Sequence, residues 1–350
     1  MKFFNEGAFV ASYKNAMMIK TQIKQGSLVI KYSILIVTHE REELLSKCLE
    51  SLNCCQGEWQ LLIVVNGGQL SQEIIEKTRT LTPHFSLIQN ALELPPGKAR
   101  NHAIKEVKGE WVFFLDDDAY LLPSYGEVVL PFLSNPNIDV LGGPDSPPPG
   151  MSALSLSLAL SLSSPFCTGP TFGRHKSIGQ RERVCDEETL TSCNLWIRTS
   201  LLGDTPFPED YLRGEETLLL ARLKQEGRGI YYHPKLKVAH FRRTKWIRLL
   251  KPTFFAGFYR SKFMRLNQQK NNGIFWLPSL FVLLHFLIFL DPMVFFYLAR
   301  MYLSVIFFVG LALAMRVKEI KLFPLIAFIH YFVVFTYGLG FLIERVKWRR

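Results

Sequence analysis

No two of the six cysteines stand in a C-x-x-C pair and none is set beside a histidine cluster, so the sequence offers neither a zinc knuckle nor a disulfide framework. Cys48, Cys54, Cys55, Cys167, Cys185 and Cys193 are therefore expected to be reduced thiols of the cytosol. Residues 1–28 contain Lys14, Lys20 and Lys24 but no continuous apolar run ending in a small-residue cleavage site, so export of the first domain is not expected. Acidic residues are missing between Arg242 and Lys270, where nine Lys or Arg collect. The formal charge of +11 is thus unevenly placed. The basic stretch runs directly into a long apolar tract that no nucleic-acid-binding module needs, which points to a membrane surface and away from nucleic acid.

Charge is nearly absent from Ile274 to Met315, where only His285, Asp291-Pro292 and Arg300 interrupt, and from Leu322 to Leu342. A spanning helix needs about 20 apolar residues. The first tract fits two spans turning near Asp291-Pro292 and the second fits one. Orientation stays open, because Arg316, Lys318 and Lys321 on one side and Arg345, Lys347, Arg349 and Arg350 on the other both favour the cytoplasm.

Ahead of these tracts lies the pattern of an α/β domain. Ser33–Thr38 and Leu61–Gly68 are continuous apolar runs ending in polar or glycine turns, as buried parallel strands read. A helix is expected over Glu40–Leu52, another over Gln72–Arg79, a strand over Phe85–Gln89, and a helix over Lys98–Val107 after the Pro95-Pro96-Gly97 turn. The strand Glu110–Leu115 runs into Asp116-Asp117-Asp118, at the carboxyl end where open α/β sheets bind ligands. Met151–Leu162 alternates Leu with Ser or Ala; the period says strand, the low complexity says a helix lying on something apolar, and both stand. Further strands are expected near Ser192–Arg198 and in YYHPKLKVAHF, with a helix over Glu215–Glu226 between them. From Lys245 to Arg265 aromatic and basic residues interleave, which suits a membrane interface.

Carboxylates spaced Asp-x-Asp at a strand end can hold a divalent cation, which takes hard oxygen ligands and keeps positions open for phosphate oxygens. The pair Glu215-Glu216 opens a helix after Gly214, and a carboxylate there can serve as general base for a sugar hydroxyl, although the helix dipole favours acids at that place anyway.

Taken in order, IVTHERE, VVNGG, GKARNHAI, FFLDDDA, SCNLWIRTS, PFPEDYLRGEE and YYHPKLKVAHFRR resemble the family 2 glycosyltransferases of the GT-A fold, over Tyr32 to Arg243. The resemblance implies an α/β, Rossmann-like mixed sheet followed by C-terminal transmembrane helices. It implies inverting, metal-assisted transfer of a sugar from a nucleotide diphosphate (UDP, GDP or dTDP) with Mn or Mg as cofactor. Thr38, Glu40, Asn66, Arg100, Asn101, Asp116 and Asp117 would serve the donor. Asp118, with Asp116 and His240, would serve the metal; Arg242 and Arg243, as bidentate donors, fit either the diphosphate or the membrane surface. Glu216 would be the base with Glu215 as its substitute, and Asn194 would face the acceptor. The family usually has Asp where this chain has Asn66 and Glu216. His102 and His233 read as structural.

The expected domains are an N-terminal extension (1–31), the catalytic domain (32–243), a basic interfacial segment (244–273), two to three membrane helices (274–342) and a basic tail (343–350). Together they imply a multi-pass membrane protein with a cytoplasmic catalytic domain, its acceptor a polyprenyl phosphate, another lipid or a cell-surface glycan. A processive polysaccharide synthase is the competing enzyme, weakened because no QxxRW-type run stands between His240 and the first apolar tract. A membrane scaffold that keeps the fold without catalysis is the competitor from another class, weakened because DDD, GEE and RN are retained together.

Overall fold

A computed structural model describes residues 30–241, 247–267 and 273–348. Arg242, Arg243, Trp246, Lys270, Arg349, Arg350 and nearly all of the N-terminal extension lie outside the described residues.

Eleven strands form two sheets: β1 (Tyr32–Thr38), β2 (Trp59–Asn66), β3 (Phe85–Asn90), β4 (Trp111–Asp116), β5 (Ala119–Leu121), β6 (Val140–Gly142), β7 (Asp145–Ser146), β8 (Arg183–Val184), β9 (Asn194–Arg198), β10 (Ile230–Tyr232) and β11 (Val238–His240). The helices are α1 (Glu42–Ser51), α2 (Gln72–Leu81), α3 (Pro96–Ile104), α4 (Tyr125–Leu133), α5 (Ala153–Leu162), α6 (Glu215–Gln225), α7 (Ile247–Leu266), α8 (Leu277–Leu284), α9 (Pro292–Arg316) and α10 (Phe323–Trp348), with shorter turns between them.

The larger sheet has the order β3-β2-β1-β4-β9-β6-β10-β8. Its first four strands are parallel, and their continuous apolar sequences divide by the period of two into two cores. Ile34, Ile36, Leu61, Ile63, Phe113 and Leu115 pack with Leu45, Leu49, Ile74 and Tyr125 from α1, α2 and α4 on one face. Leu35, Leu62, Val64, Val112 and Phe114 pack with Ala99, Ala103, Leu219 and Leu223 from α3 and α6 on the other. β9 is antiparallel to β4, so the sheet is mixed and β9 starts where β4 ends, with Leu115 opposite Asn194.

The smaller sheet decides where the chemistry converges. β11 runs antiparallel to β5, setting His240 opposite Ala119, and parallel to β7, setting Val238 opposite Asp145. Phe241 N–H donates to the carbonyl of Asp118 at 2.8 Å, which closes the pairing onto the acidic turn.

The Leu/Ser stretch is a helix, α5, capped by the Ser152 hydroxyl. Its leucines pack against Ile326, Ile329 and Val333 of α10 and Ala314 of α9, so the apolar support is the C-terminal helical layer itself. The first apolar tract, expected to fit two spans, is divided into two helical pieces of unequal length. Its first half is the eight-residue α8 followed by a 3-10 turn over His285–Phe289. With the 3-10 turn over Gly273–Trp276 before it, this apolar helical run ends at Phe289, shorter than the roughly 20 residues of a typical spanning helix. The Asp291 side chain caps α9, which restarts the chain after Leu290. Among the described residues two helices are long and apolar enough to cross a membrane, α9 and α10.

Candidate active site

The turn that follows β4 sends its acids to opposite sides. Asp116 and Asp118 point the same way and, with His240, bring one ligand atom each to within 4.8 Å of one another. Asp117 turns inward, where it has no exposed surface and accepts from Thr38 Oγ1 at 2.7 Å and from the Arg41 guanidinium. The second Arg41 nitrogen reaches Asp118 Oδ2 at 2.6 Å. Burial pushes the Asp117 carboxyl up to about 7, against the pull of Arg41. At Asp118 burial acts in the same direction but loses: His240 and Arg41 hold that carboxyl far below the usual carboxylate range.

The second acidic pair reaches the same place from the far end of the domain. Gly214 starts α6 with φ of 75°, a left-handed turn that puts Glu215 and Glu216 in the first helical turn, where the helix dipole favours carboxylates. Arg100, held in α3 and nearly buried, joins the two clusters through one guanidinium. Its Nη1 donates to Glu215, and its Nη2 donates to Asp116 Oδ1 at 3.1 Å and Ser192 Oγ at 3.0 Å. Burial pushes Glu215 up, with Arg100 opposing it. Glu216 Oε1 accepts from Arg174 Nη1 at 3.2 Å, while its second oxygen has no hydrogen bond among the described residues. Arg174 is fixed in turn by the carbonyl of Glu188, 2.8 Å from Nε.

Three of the asparagines singled out from sequence hold loops. Asn66 is bound by the Leu94 N–H and carbonyl at 3.0 and 2.9 Å and by Asn90. Asn101 donates to the Phe207 carbonyl at 2.9 Å and accepts from its N–H at 3.1 Å, tying α3 to the PFPED turn. Asn194 is fully buried, accepts from Tyr125 and donates to the Leu236 carbonyl at 2.8 Å, so it is not brought to the carboxylates. Glu40 is exposed at the end of β1 with φ of 48°, its side chain over Gly68. His102 bonds Asn90, and His233 bonds its own turn at Lys235, as structural residues do.

Arg41, Ser192, Arg174, Asp145 and His175 belong to the constellation and were not singled out in the sequence. Arg41 had a signal, standing three residues past Thr38 in a strand-end turn. Arg174 and His175 had none, since they follow a low-complexity helix and gain their partners only by folding.

A mixed sheet with converging acids at its strand ends is the GT-A architecture. Residues 33–191 match the model of glycosyl transferase family 2. The putative glycosyltransferase EpsH of Bacillus subtilis (strain 168) is 30% identical over 100 residues, 28% of this chain and 29% of that protein. The poly(ribitol-phosphate) beta-N-acetylglucosaminyltransferase TarS of Staphylococcus aureus (strain Mu50 / ATCC 700699) is 28% identical over 120 residues, 32% of this chain and 20% of that one. The match thus spans less than a third of either relative. Among solved structures, the mannosyltransferase PcManGT of Pyrobaculum calidifontis, in complex with GDP-Man and Mn2+, aligns with a TM-score of 0.55 at 11% identity over 97% of this chain and 98% of that one, a likeness of fold. Residues 33–191 are thus similar to family 2 of the glycosyltransferases.

Proposed function

We propose that the chain transfers a sugar, with inversion, from a nucleotide-diphosphate donor to an acceptor delivered at the cytoplasmic face of a membrane. The observation that carries this reading is Arg100, which holds Asp116 on one side and Glu215 on the other, so that two acidic clusters remote in sequence face one space.

Asp116, Asp118 and His240 suit a hard divalent cation, Mn or Mg: two carboxylates and an imidazole converge and leave positions for phosphate oxygens. Bound there, such an ion would neutralise charge on the departing diphosphate. The Mn2+ and GDP-Man of the mannosyltransferase complex support both the ion and the donor class.

Glu216 is the base. Its uncommitted oxygen takes the proton of the acceptor hydroxyl while Arg174 holds the other oxygen in place. The hydroxyl oxygen then bonds the anomeric carbon as the bond to the diphosphate breaks, its electron pair leaving on the phosphate oxygen. Arg41 and Arg100 balance the clustered negative charge on the donor side. Thr38, Glu40 and Asn66 sit at the ends of β1 and β2 on the nucleoside side, Thr38 and Asn66 acting through the turns they hold.

The base helix rests on the apolar layer: Leu218 and Ala221 of α6 pack against Phe263, Met264, Phe275 and Phe341. Such contact suits an acceptor carried by the bilayer, a polyprenyl phosphate, another lipid or a surface glycan, and the TarS name supports a cell-envelope glycan.

The test is a panel of uridine, guanosine and thymidine diphosphate sugars, scored for metal-dependent release of nucleotide diphosphate. Glu216→Gln is expected to lower kcat about 10²- to 10⁴-fold, and Asp118→Ala to abolish turnover, both with unchanged melting. Full activity in either variant refutes the assignment.

A further inference from the structure

His240 faces two carboxylates at once. Its Nδ1 lies 3.1 Å from Asp145 Oδ2, and its Nε2 lies 3.1 Å from Asp118 Oδ1. Asp145 is 2% exposed and also meets His175 Nδ1 at 3.0 Å and Cys193 Sγ at 4.0 Å. The register of the small sheet builds this arrangement, with β11 lying between β5, which follows the acidic turn, and β7, which opens with Asp145.

An ionised carboxylate only accepts hydrogen bonds, so an imidazole that bonds it does so as an N–H donor. Once the His240 Nδ1 proton is given to Asp145, a neutral ring presents a bare lone pair at Nε2. That lone pair points at Asp118, which is also an acceptor. Two acceptors 3.1 Å apart require a shared positive species, either a second ring proton or a cation. Asp116 lies close enough to both to complete a cation's donor set.

We propose that Asp145 is a positioning residue: it fixes His240 as the Nδ1–H tautomer and turns Nε2 toward the cation held with Asp116 and Asp118. The proposal rests on the divalent-cation reading of the site. Carboxylates that orient metal-bound imidazoles in this way raise the basicity of the ligating nitrogen and hold the ring's angle. His175 Nδ1 also holds the Asp145 carboxylate, 3.0 Å from Oδ1 and 3.1 Å from Oδ2. Asp145, Cys193 and His240 are also near enough to hold an ion among themselves. That alternative offers a soft sulfur and a single carboxylate, whereas Asp116 and Asp118 offer the hard oxygens that Mn or Mg takes.

The experiment titrates the full chain in detergent with Mn(II), alone and with uridine, guanosine or thymidine diphosphate, and follows it by electron paramagnetic resonance. One imidazole nitrogen coupled to manganese is expected, lost in His240→Ala. The isosteric Asp145→Asn is expected to weaken Mn(II) binding about 10- to 100-fold. A reading that needs no variant is the ring ¹⁵N spectrum of the wild-type chain with Mg(II), where a proton on His240 Nδ1 and none on Nε2 is expected. A proton on Nε2, manganese without nitrogen coupling, unchanged affinity in Asp145→Asn, or a thiolate charge-transfer band after Co(II) substitution overturns the proposal while the cation reading survives. If the wild-type chain binds no Mn(II) under any of these conditions, both fall.

Discussion

Asp117 sits between the two candidate metal ligands yet faces the core, and its chemistry is that of a buried acid. An aspartate in an unfolded chain titrates near 3.9, whereas burial pushes Asp117 up to about 7. Between about pH 4 and about 7 the folded state therefore binds the extra proton. Stability owed to this group is fully present below about pH 4 and is lost as pH rises through about 7, opposite to a carboxylate whose folded value is depressed. Asp117→Asn has no proton to lose and keeps the shape. In the presence of chelator, its Tm relative to wild type is expected to rise between about pH 5 and about pH 8; a constant difference across that range contradicts the account. At this scale the positions of the DDD and GEE acids were legible from the strand end and the helix start that carry them, although the helix dipole alone also favours acids at the second. Asn66, Asn101 and Asn194 looked like ligand residues for the same polarity that makes them loop anchors, and only their hydrogen bonds separate the two uses.

Among the elements, α7 and α10 make the closest packing, and two glycines permit it. A Cβ at Gly257 would stand 2.0 Å from the Tyr337 carbonyl, and one at Gly340 would stand 2.0 Å from the Phe254 carbonyl. Ser261 and Arg265 of α7 then reach Glu344 of α10 at 2.7 Å each, Arg265 through two nitrogens. Gly257→Ala forces backbone apart and is expected to cost about 1–3 kcal/mol or more, read as a fall in Tm in detergent. Gly203→Ala, where nothing lies within 4 Å, is the control and should change Tm little. Strands β1 to β4 and their helices were legible from continuous apolar runs and turn residues. The antiparallel entry of β9 was not, because strand direction depends on which partners fill the sheet.

For the molecule as a whole, the apolar layer is tied to the catalytic domain at several points. α5 packs on α10 near Ile326 and Ile329, and Leu218 and Ala221 of α6 pack with Phe341 near the other end of α10. The exposed apolar surface lies on α8, α9 and the turn between them, with Phe289, Leu290 and Met293 each at least 80% exposed. Contiguous apolar surface of this kind marks contact with lipid or protein. Membrane fractions carrying the chain are expected to retain it through high-salt and alkaline carbonate washes, because apolar insertion is indifferent to screening whereas purely basic attachment is screened away. Release by salt alone contradicts membrane insertion.

The amino-acid sequence by itself determined the α/β domain, the order of its motifs, the acidic turn and the apolar tail, since these follow from local periodicity and composition. Tertiary structure alone decided that α5 is a helix, that the first apolar tract yields one long helix, and that Asp145 stands behind His240. The physical reason is common to all three. Each depends on a partner remote in the chain: an apolar face for α5 to cover, Tyr331 bonded to His285 beyond a short helix, and a strand pairing that carries a buried acid across a sheet.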